Sequence, residues 1–272
     1  MIHVLYHANC CDGFTAAWLL ARVFGTKANY IPMNYGDPFP AVGADDEVYM
    51  VDFNMEIPAE FTGSVTVFDH HIGARDLYTS QLGRITKQSE FNLAESGASL
   101  VYKHINNHRL GPGLIGGTEI LVKYVKDRDL WIWALPWSPE VNASIGSRDK
   151  TFDDWDYLCE HIYTNLPQVR IEGRAILRTY DNIIERTKVT ERNGIKFVNS
   201  ACLQSEVGNH YGPGPVVVWY FDGSKVRCSV RGNGALEIAK SWGGGGHELA
   251  AGCSLELGAF VKCLEGTDVT TQ

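Results

Sequence analysis

An α/β fold, with a mainly parallel sheet carrying helices on both faces and then a smaller α/β domain, is predicted by three features of the sequence. Strand-like and helix-like segments alternate over the first 75 residues. Several of the apolar strand-like runs end in an acid or a histidine. Beyond residue 190 the pattern changes to β-branched runs around one short helical segment.

Residues 2–6 are apolar and read as the first strand. Residues 14–24, rich in Ala and Leu, read as a helix stopped by Gly25. Residues 30–33, 48–52 and 65–68 read as further strands, with short helical or turn segments between them. From 96 to 125 the helical signal dominates, broken by Gly111-Pro112-Gly113 and Gly116-Gly117. Ser96 stands just before the apolar stretch 98–105 and is most simply an N-cap, with a phosphate contact at the helix start as the alternative. Trp131, Trp133, Trp137 and Trp155 lie in a region of helical periodicity, where core packing is the default and base stacking the rival. The polar stretch 180–194 reads as the end of a long helix entering a linker or hairpin. Residues 195–198, 216–220 and 225–230 then read as strands and 235–242 as a short helix. A domain boundary is therefore expected near residue 190, giving domains 1–190 and 191–272.

Composition narrows the function. At 272 residues the chain is long for one core, which favours two domains. A formal charge of −8 argues against broad adhesion to nucleic acid, but not against a short anionic substrate drawn in by metals. The N-terminal apolar run is too short for a signal peptide, and no apolar run approaches the roughly 20 residues that cross a bilayer. The seven cysteines, Cys10, Cys11, Cys159, Cys202, Cys228, Cys253 and Cys263, are odd in number and form no Cys-x-x-Cys repeat. Reduced thiols in a cytoplasmic protein are the expectation.

The chemistry concentrates at strand ends. Val67-Phe68-Asp69-His70-His71 places an acid and two imidazoles where an apolar segment stops. In open α/β sheets, ligands bind outside the carboxyl ends of the strands. Alone, the three residues admit a hydrogen-bonded structural cluster as the lesser reading. His7-Ala8-Asn9-Cys10-Cys11-Asp12-Gly13 ends the first apolar segment, Asp52 ends another, and Asp127-Arg128-Asp129 follows residues 120–125. Oxygen and nitrogen ligands delivered from successive strand ends suit a pair of hard or borderline divalent metals. Cys10 and Cys11 fall inside this set as a rival thiol nucleophile or ligand, although thiolates suit zinc and the surrounding carboxylates suit Mg2+ or Mn2+.

A second cluster lies in the C-terminal domain, Gly243-Gly244-Gly245-Gly246-His247-Glu248-Leu249-Ala250-Ala251-Gly252. Without Cβ atoms, successive backbone N–H groups can turn toward a phosphate; the bland alternative is a flexible turn. Arg231 can hold a phosphate bidentately or stack on a base, and His247 can donate to a phosphate oxygen.

Together, Asp69-His70-His71 and the Gly-Gly-Gly-His-x-x-Ala-Ala-Gly pattern of Gly244 to Gly252 resemble the DHH phosphoesterase superfamily, in its DHHA1-bearing branch of nanoRNase-like and RecJ-like enzymes. The resemblance runs from His7 to about Ser254. It implies His7 and Asn9 as ligands of a first metal, and Asp12, His70 and Asp129 as ligands of a second. Asp52 would bridge both ions, and His71 would touch the substrate phosphate. Arg231, His247 and Gly244, Gly245 and Gly246 would hold the far end of the substrate across a cleft. Asn9 departs from the pattern, since the family carries an acid there; a neutral carbonyl should hold the first metal less tightly. The expected activity is hydrolysis of short oligonucleotides or linear dinucleotides with two Mn2+ or Mg2+ ions, with Asp12, Asp52 and His71 at the reacting centre. The alternatives are a RecJ-like exonuclease on single-stranded DNA, a cyclic-dinucleotide phosphodiesterase, and a catalytically weak nucleotide-binding protein.

Overall fold

The computed structural model describes residues 1–110, 114 and 116–265. The segment Gly111-Pro112-Gly113, expected to interrupt the helices, lies outside the described residues. The chain divides into two compact units, Met1–Leu177 and Arg178–Gln272.

The first unit runs β1 (Ile2–His7), α1 (Cys11–Phe24), β2 (Ala28–Met33), β3 (Glu47–Val51), β4 (Ser64–Asp69), α2 (Arg75–Ser80), β5 (Glu90–Phe91), α3 (Gly97–His108), α4 (Thr118–Asp129), α5 (Ser138–Gly146), α6 (Phe152–Thr164) and α7 (Leu166–Ile184), the last crossing into the second unit. Its five strands lie in the order β2-β1-β3-β4-β5, every pairing parallel. The register aligns Tyr6 with Val51 and Val51 with Phe68. His7, Asp52 and the Asp69-His70-His71 run therefore leave the sheet at one edge, from three adjacent strands. The strand order reverses between β1 and β3, so His7 and Asp52 flank the switch point where such sheets bind ligands.

Side-chain alternation builds the two faces. Val4, Tyr49, Val51 and Phe68 join a core with α1, α3, α4, α5, α6 and α7, in which Trp18 and Trp155 are wholly buried. Leu5, Val48, Met50, Val65 and Val67 face the other way, under Phe53, Ile57, Phe61 and the short α2. Each fully buried Leu of α1, Leu19 and Leu20, contributes about 1.5–3 kcal/mol over leaving it exposed. Of the four tryptophans expected in the core, Trp155 is there, donating Nε1–H to Thr15 at 2.9 Å. Trp131 and Trp137 depart from that expectation: they are 42% and 40% exposed, on a loop that follows the end of α4 instead of continuing its helical period.

Ser96 caps α3 reciprocally: its side chain accepts from Ser99 N, and Ser99 Oγ accepts from Ser96 N at 2.9 Å. Gly117, at φ 90°, opens α4 where a Cβ would meet the Cys159 carbonyl at 2.3 Å. Glu95 ties the two helices, accepting from Lys103 Nζ at 2.6 Å, Lys126 Nζ at 2.8 Å and Ser99 Oγ at 2.6 Å.

The second unit continues with β6 (Val189–Arg192), β7 (Ile195–Asn199), α8 (Gln204–Tyr211), β8 (Val216–Phe221), β9 (Val226–Arg231), α9 (Ala235–Ser241), β10 (Gly245–His247), β11 (Ala250–Leu255) and α10 (Leu257–Glu265). Its sheet has the order β10-β11-β9-β8-β7-β6, antiparallel except for β7 with β8. Val217, Val230 and Phe197 pack under α9 and α10 on one face, and Val198, Val216 and Val218 pack with Val207 of α8 on the other. The glycine run, read in the sequence as a loop, is in part a strand: Gly245 pairs with Gly252 and Gly246 with Ala251. A Cβ at 244 would lie 2.1 Å from the Gly252 carbonyl, and one at 246 would lie 2.6 Å from Ala251 Cα. Close strand approach requires the absent side chains here.

Glu95 supplies a test of how α3 and α4 are held. Burial alone would raise its pKa, but hydrogen bonds from Lys103, Lys126 and Ser99 bring it down to about 2. A depressed carboxylate stabilises the fold above its unfolded pKa, near 4.5, and that contribution is lost as the pH falls toward 2. Lys103 is half exposed and contributes little, so Glu95→Gln should cost about 1–2 kcal/mol at pH 7. Thermal unfolding of both proteins at pH 7, 5 and 3 should show the gap in Tm narrowing below pH 4.5.

Candidate metal centre

Seven side chains are expected at this edge, and the fold gathers six of them into two groups. His7, Asp52 and His71 offer ligand atoms that lie within 4.8 Å of one another, and so do Asp12, His70 and Asp129. Asp52 links the groups with one oxygen each: Oδ2 is 3.4 Å from His7 Nδ1 and Oδ1 is 3.1 Å from His70 Nε2. His70 Nε2 is also 3.3 Å from Asp129 Oδ2 and 4.0 Å from Asp12 Oδ2. The seventh, Asn9, is exposed in the turn between β1 and α1, with φ 56°.

Each residue has a local reason for its place. Asp12 sits in the first turn of α1, where a carboxylate is favoured by the helix dipole. It also accepts from Ala98 N at 3.1 Å, at the start of α3. Gly97 permits this approach, since a Cβ there would lie 2.6 Å from Asp52 Cβ and 3.0 Å from Asp12 Oδ2. Gly13 does the same for β1, as its Cβ would meet the His7 carbonyl at 2.5 Å. Asp52 follows β3 with φ 62°, an uncommon conformation for a residue with a side chain, and its N–H donates to the Phe68 carbonyl at 2.9 Å. Asp129 arrives from the end of helix α4, in line with the helical signal read over 96–125, and not from a strand end like His7 and Asp52. Asp127, two residues earlier, turns away to accept from Ala134 N at 3.0 Å and from Ser138 Oγ, anchoring the loop that follows.

Asp69 stands behind the cluster. Its Oδ1 accepts from His71 Nδ1 at 2.8 Å and His70 N at 2.8 Å, and its Oδ2 accepts from Asn54 Nδ2 at 2.7 Å. With Nδ1 committed to Asp69, ligation or phosphate contact by His71 falls to Nε2, the arrangement usual for metal-bound histidines. His71 lies within ligand distance of His7 and Asp52, a position open to metal ligation as well as to the substrate contact that the resemblance implied. Sequence reasoning missed Asn54, Gly97 and Ala98, whose parts depend on contacts between distant segments. It also missed Tyr35, whose ring centroid lies 5.3 Å from that of His7 and 5.9 Å from that of His71.

The electrostatics are those of a site short of positive charge. Burial, then the charges of Asp52 and Asp129, push Asp12 well above the usual carboxylate range. Burial and Asp52 likewise raise Asp129 to about 6. Asp52 is also buried, but the His7 ring 3.4 Å from Oδ2, the hydrogen bond with His70 and the charge of His71 hold it below the usual range. Burial opposes charge on His70, yet the hydrogen bond with Asp52 and the carboxylates of Asp129, Asp52 and Asp12 raise it to about 10. Asp12 Oδ2, Asp52 Oδ2, Asp129 Oδ2 and His7 Nδ1 are buried with no hydrogen-bond partner. Buried polar atoms are rarely left unpaired, and four converging here fit divalent cations with oxygen and nitrogen ligands. Neither Cys10 nor Cys11 belongs to either group, and burial raises both thiols.

In the second unit, the strand register sets His247 opposite Ala250 and Ala250 opposite Arg231, one row across three strands. Arg231 is largely committed within the fold: Nη1 donates to the carbonyls of Val230 at 3.0 Å and Ala251 at 3.2 Å, and Nε to Ser205 Oγ at 3.3 Å.

No family model matches the chain. An uncharacterized protein of Acanthamoeba polyphaga mimivirus is 26% identical over 304 residues, covering 96% of this chain and 68% of that protein. Among solved structures, the chain is similar to the pGpG-specific phosphodiesterase PggH of Vibrio cholerae, with 15% identity and a TM-score of 0.52 over 97% of this chain and 96% of that one. It is also similar to RecJ of Thermus thermophilus in complex with Mn2+, with 14% identity and a TM-score of 0.52 over 97% of this chain. The chain spans half the length of that RecJ. At such identities the likeness shows a shared α/β fold. Among the described residues, no helix is long and apolar enough to cross a membrane.

Asp69→Asn tests the support behind the cluster, because it keeps the volume but puts an amide where His71 and Asn54 both need an acceptor. Mn2+ affinity, measured by calorimetry, should fall about 10- to 100-fold. Circular dichroism should show the fold retained.

Proposed function

We propose that this protein is a metal-dependent phosphodiesterase that hydrolyses short oligonucleotides or linear dinucleotides. The observation that carries this reading is the sharing of buried Asp52 between two groups of histidine and carboxylate ligands at the switch point of a parallel sheet. His7, Asp52 and His71 would hold one Mn2+ or Mg2+ ion and Asp12, Asp52, His70 and Asp129 a second, and such a pair supplies a nucleophilic water at neutral pH and charge stabilisation at the phosphoryl oxygens.

The chain's own residues set the remaining requirements. Asp52 fixes the separation of the two ligand groups, and Asp69 fixes the ring of His71. Their histidines are engaged with carboxylates in the pattern of ligands, not of a nucleophile and its base. The acidic chain favours a small anionic substrate over a long strand. His247, in register with Ala250 and Arg231, would offer a further phosphate a contact in the second unit, with Arg231 Nη2 as the guanidinium nitrogen left over from its bonds to the fold. PggH, a phosphodiesterase specific for pGpG, shares the fold along nearly its whole length, and this also supports a linear dinucleotide as the substrate.

Turnover of short RNA, short DNA, longer single-stranded DNA and cyclic dinucleotides should be measured with Mn2+, with Mg2+ and in chelator. We expect metal-dependent cleavage of the short linear substrates, and none by Asp52→Ala, which removes the residue common to both groups. Preference for long single-stranded DNA or cyclic dinucleotides would replace the substrate assignment, and full activity in chelator would remove the metal.

Asn9 bears on the rate. Aspartate tolerates the left-handed backbone as asparagine does, so Asn9→Asp adds a charge without strain. Tighter Mn2+ binding and turnover faster by about tenfold are expected in a side-by-side titration. Equal affinity and rate would place Asn9 outside the ligand shell.

A further inference from the structure

The first unit has a cavity of about 480 Å³ beside the ligand groups, within the size range of small-molecule sites. The loop after β2 and the segment after Asp52 line it. Tyr35, Phe39 and Phe53 supply aromatic walls, and Asp37 and Glu56 supply carboxylate oxygens. Tyr35 joins the cavity to the site through its edge-to-face contacts with His7 and His71, and it packs against Phe53 at 6.4 Å. Half of Tyr35 remains exposed, leaving ring surface for a ligand.

The polar groups restrict what that ligand can be. Asn54 is 3% exposed, its Nδ2 donates to Asp69 and to the Ala74 carbonyl, and its Oδ1 is closed off from solvent, so recognition falls to the carboxylates. Those of Asp37 and Glu56 repel phosphate and accept from N–H groups. A flat ring with N–H donors on its edge meets both conditions.

We propose that this cavity is a nucleobase subsite, which stacks one base of the substrate on Tyr35 and prefers bases with an exocyclic amino group to uracil. Adenine, cytosine and guanine bring an NH2 group to the acceptors. Uracil brings two carbonyl oxygens and a single N–H. The subsite rests on the phosphodiesterase reading for its place in the reaction, but it binds a base whether or not the bond is broken.

The test is calorimetry on the full chain with Mn2+ present, using AMP, UMP and ribose 5-phosphate as probes, beside turnover of short adenine-only and uracil-only RNA. Wild-type protein should bind AMP at least about fivefold more tightly than ribose 5-phosphate, the lower end of what stacking on one aromatic ring contributes. AMP should also exceed UMP. Tyr35→Ala should abolish the gain over ribose 5-phosphate and Tyr35→Phe should keep it. Glu56→Gln should narrow the preference for AMP over UMP. Equal affinities for the three probes in wild type, or discrimination that survives Tyr35→Ala, would overturn the subsite. Tyr35-dependent AMP binding without turnover of any phosphodiester would uphold the subsite and sink the catalytic reading; turnover without base discrimination would do the reverse.

Discussion

The site depends on one carboxylate. Asp52 is fully buried, yet each of its oxygens faces a different histidine, and those histidines belong to different ligand groups. Its place is set by the backbone: β3 ends at Val51, and the chain turns through a left-handed residue, which costs on the order of 1–3 kcal/mol and persists only where surroundings over-determine it. Here they do. The Asp52 N–H is fixed on Phe68 of the neighbouring strand, and the start of α3 presses against its Cβ through Gly97.

This arrangement is poor as a structural network and sensible as a receptor. Asp12, Asp52 and Asp129 lie close together in a buried place, and two of the three are driven toward protonation by burial and by one another. A network selected only for stability would pair each oxygen. Instead the protein satisfies the rear of the site, where Asp69 takes donors from His70, His71 and Asn54, and leaves the front atoms without partners. Rigid support behind and unmet acceptors ahead are the conditions under which added cations gain most.

The parallel sheet was legible because its strands are short apolar runs, several of them ending in an ionisable residue, and few other folds produce that pattern. Ser96 was legible as a cap because capping is a local contest between neighbouring groups. Asp129 could be picked out, and the helical signal over 96–125 gave its approach, although residues 120–125 are apolar enough to group it with the strand ends. The tryptophans misled where that signal ran out. Periodicity predicts which face a residue takes only while the helix continues, and α4 stops at Asp129, before Trp131. Gly97, Asn54 and Tyr35 carry no local signal at all, since their parts arise from segments that meet only in the folded chain.

Glycine shows how one residue type yields two opposite readings. A run of four suggests backbone N–H groups open to a phosphate, yet at 244 and 246 the missing Cβ lets two strands close on each other. The isolated Gly13 and Gly97 attract no attention in the sequence. They stand where a Cβ would collide with the His7 carbonyl and with Asp52, so the compactness of the ligand groups depends on them directly. What distinguishes the two uses is the neighbour that occupies the vacated volume. In the second unit it is the protein's own strand, and in the first it is the ligand-bearing backbone, drawn close enough for one aspartate to serve two groups.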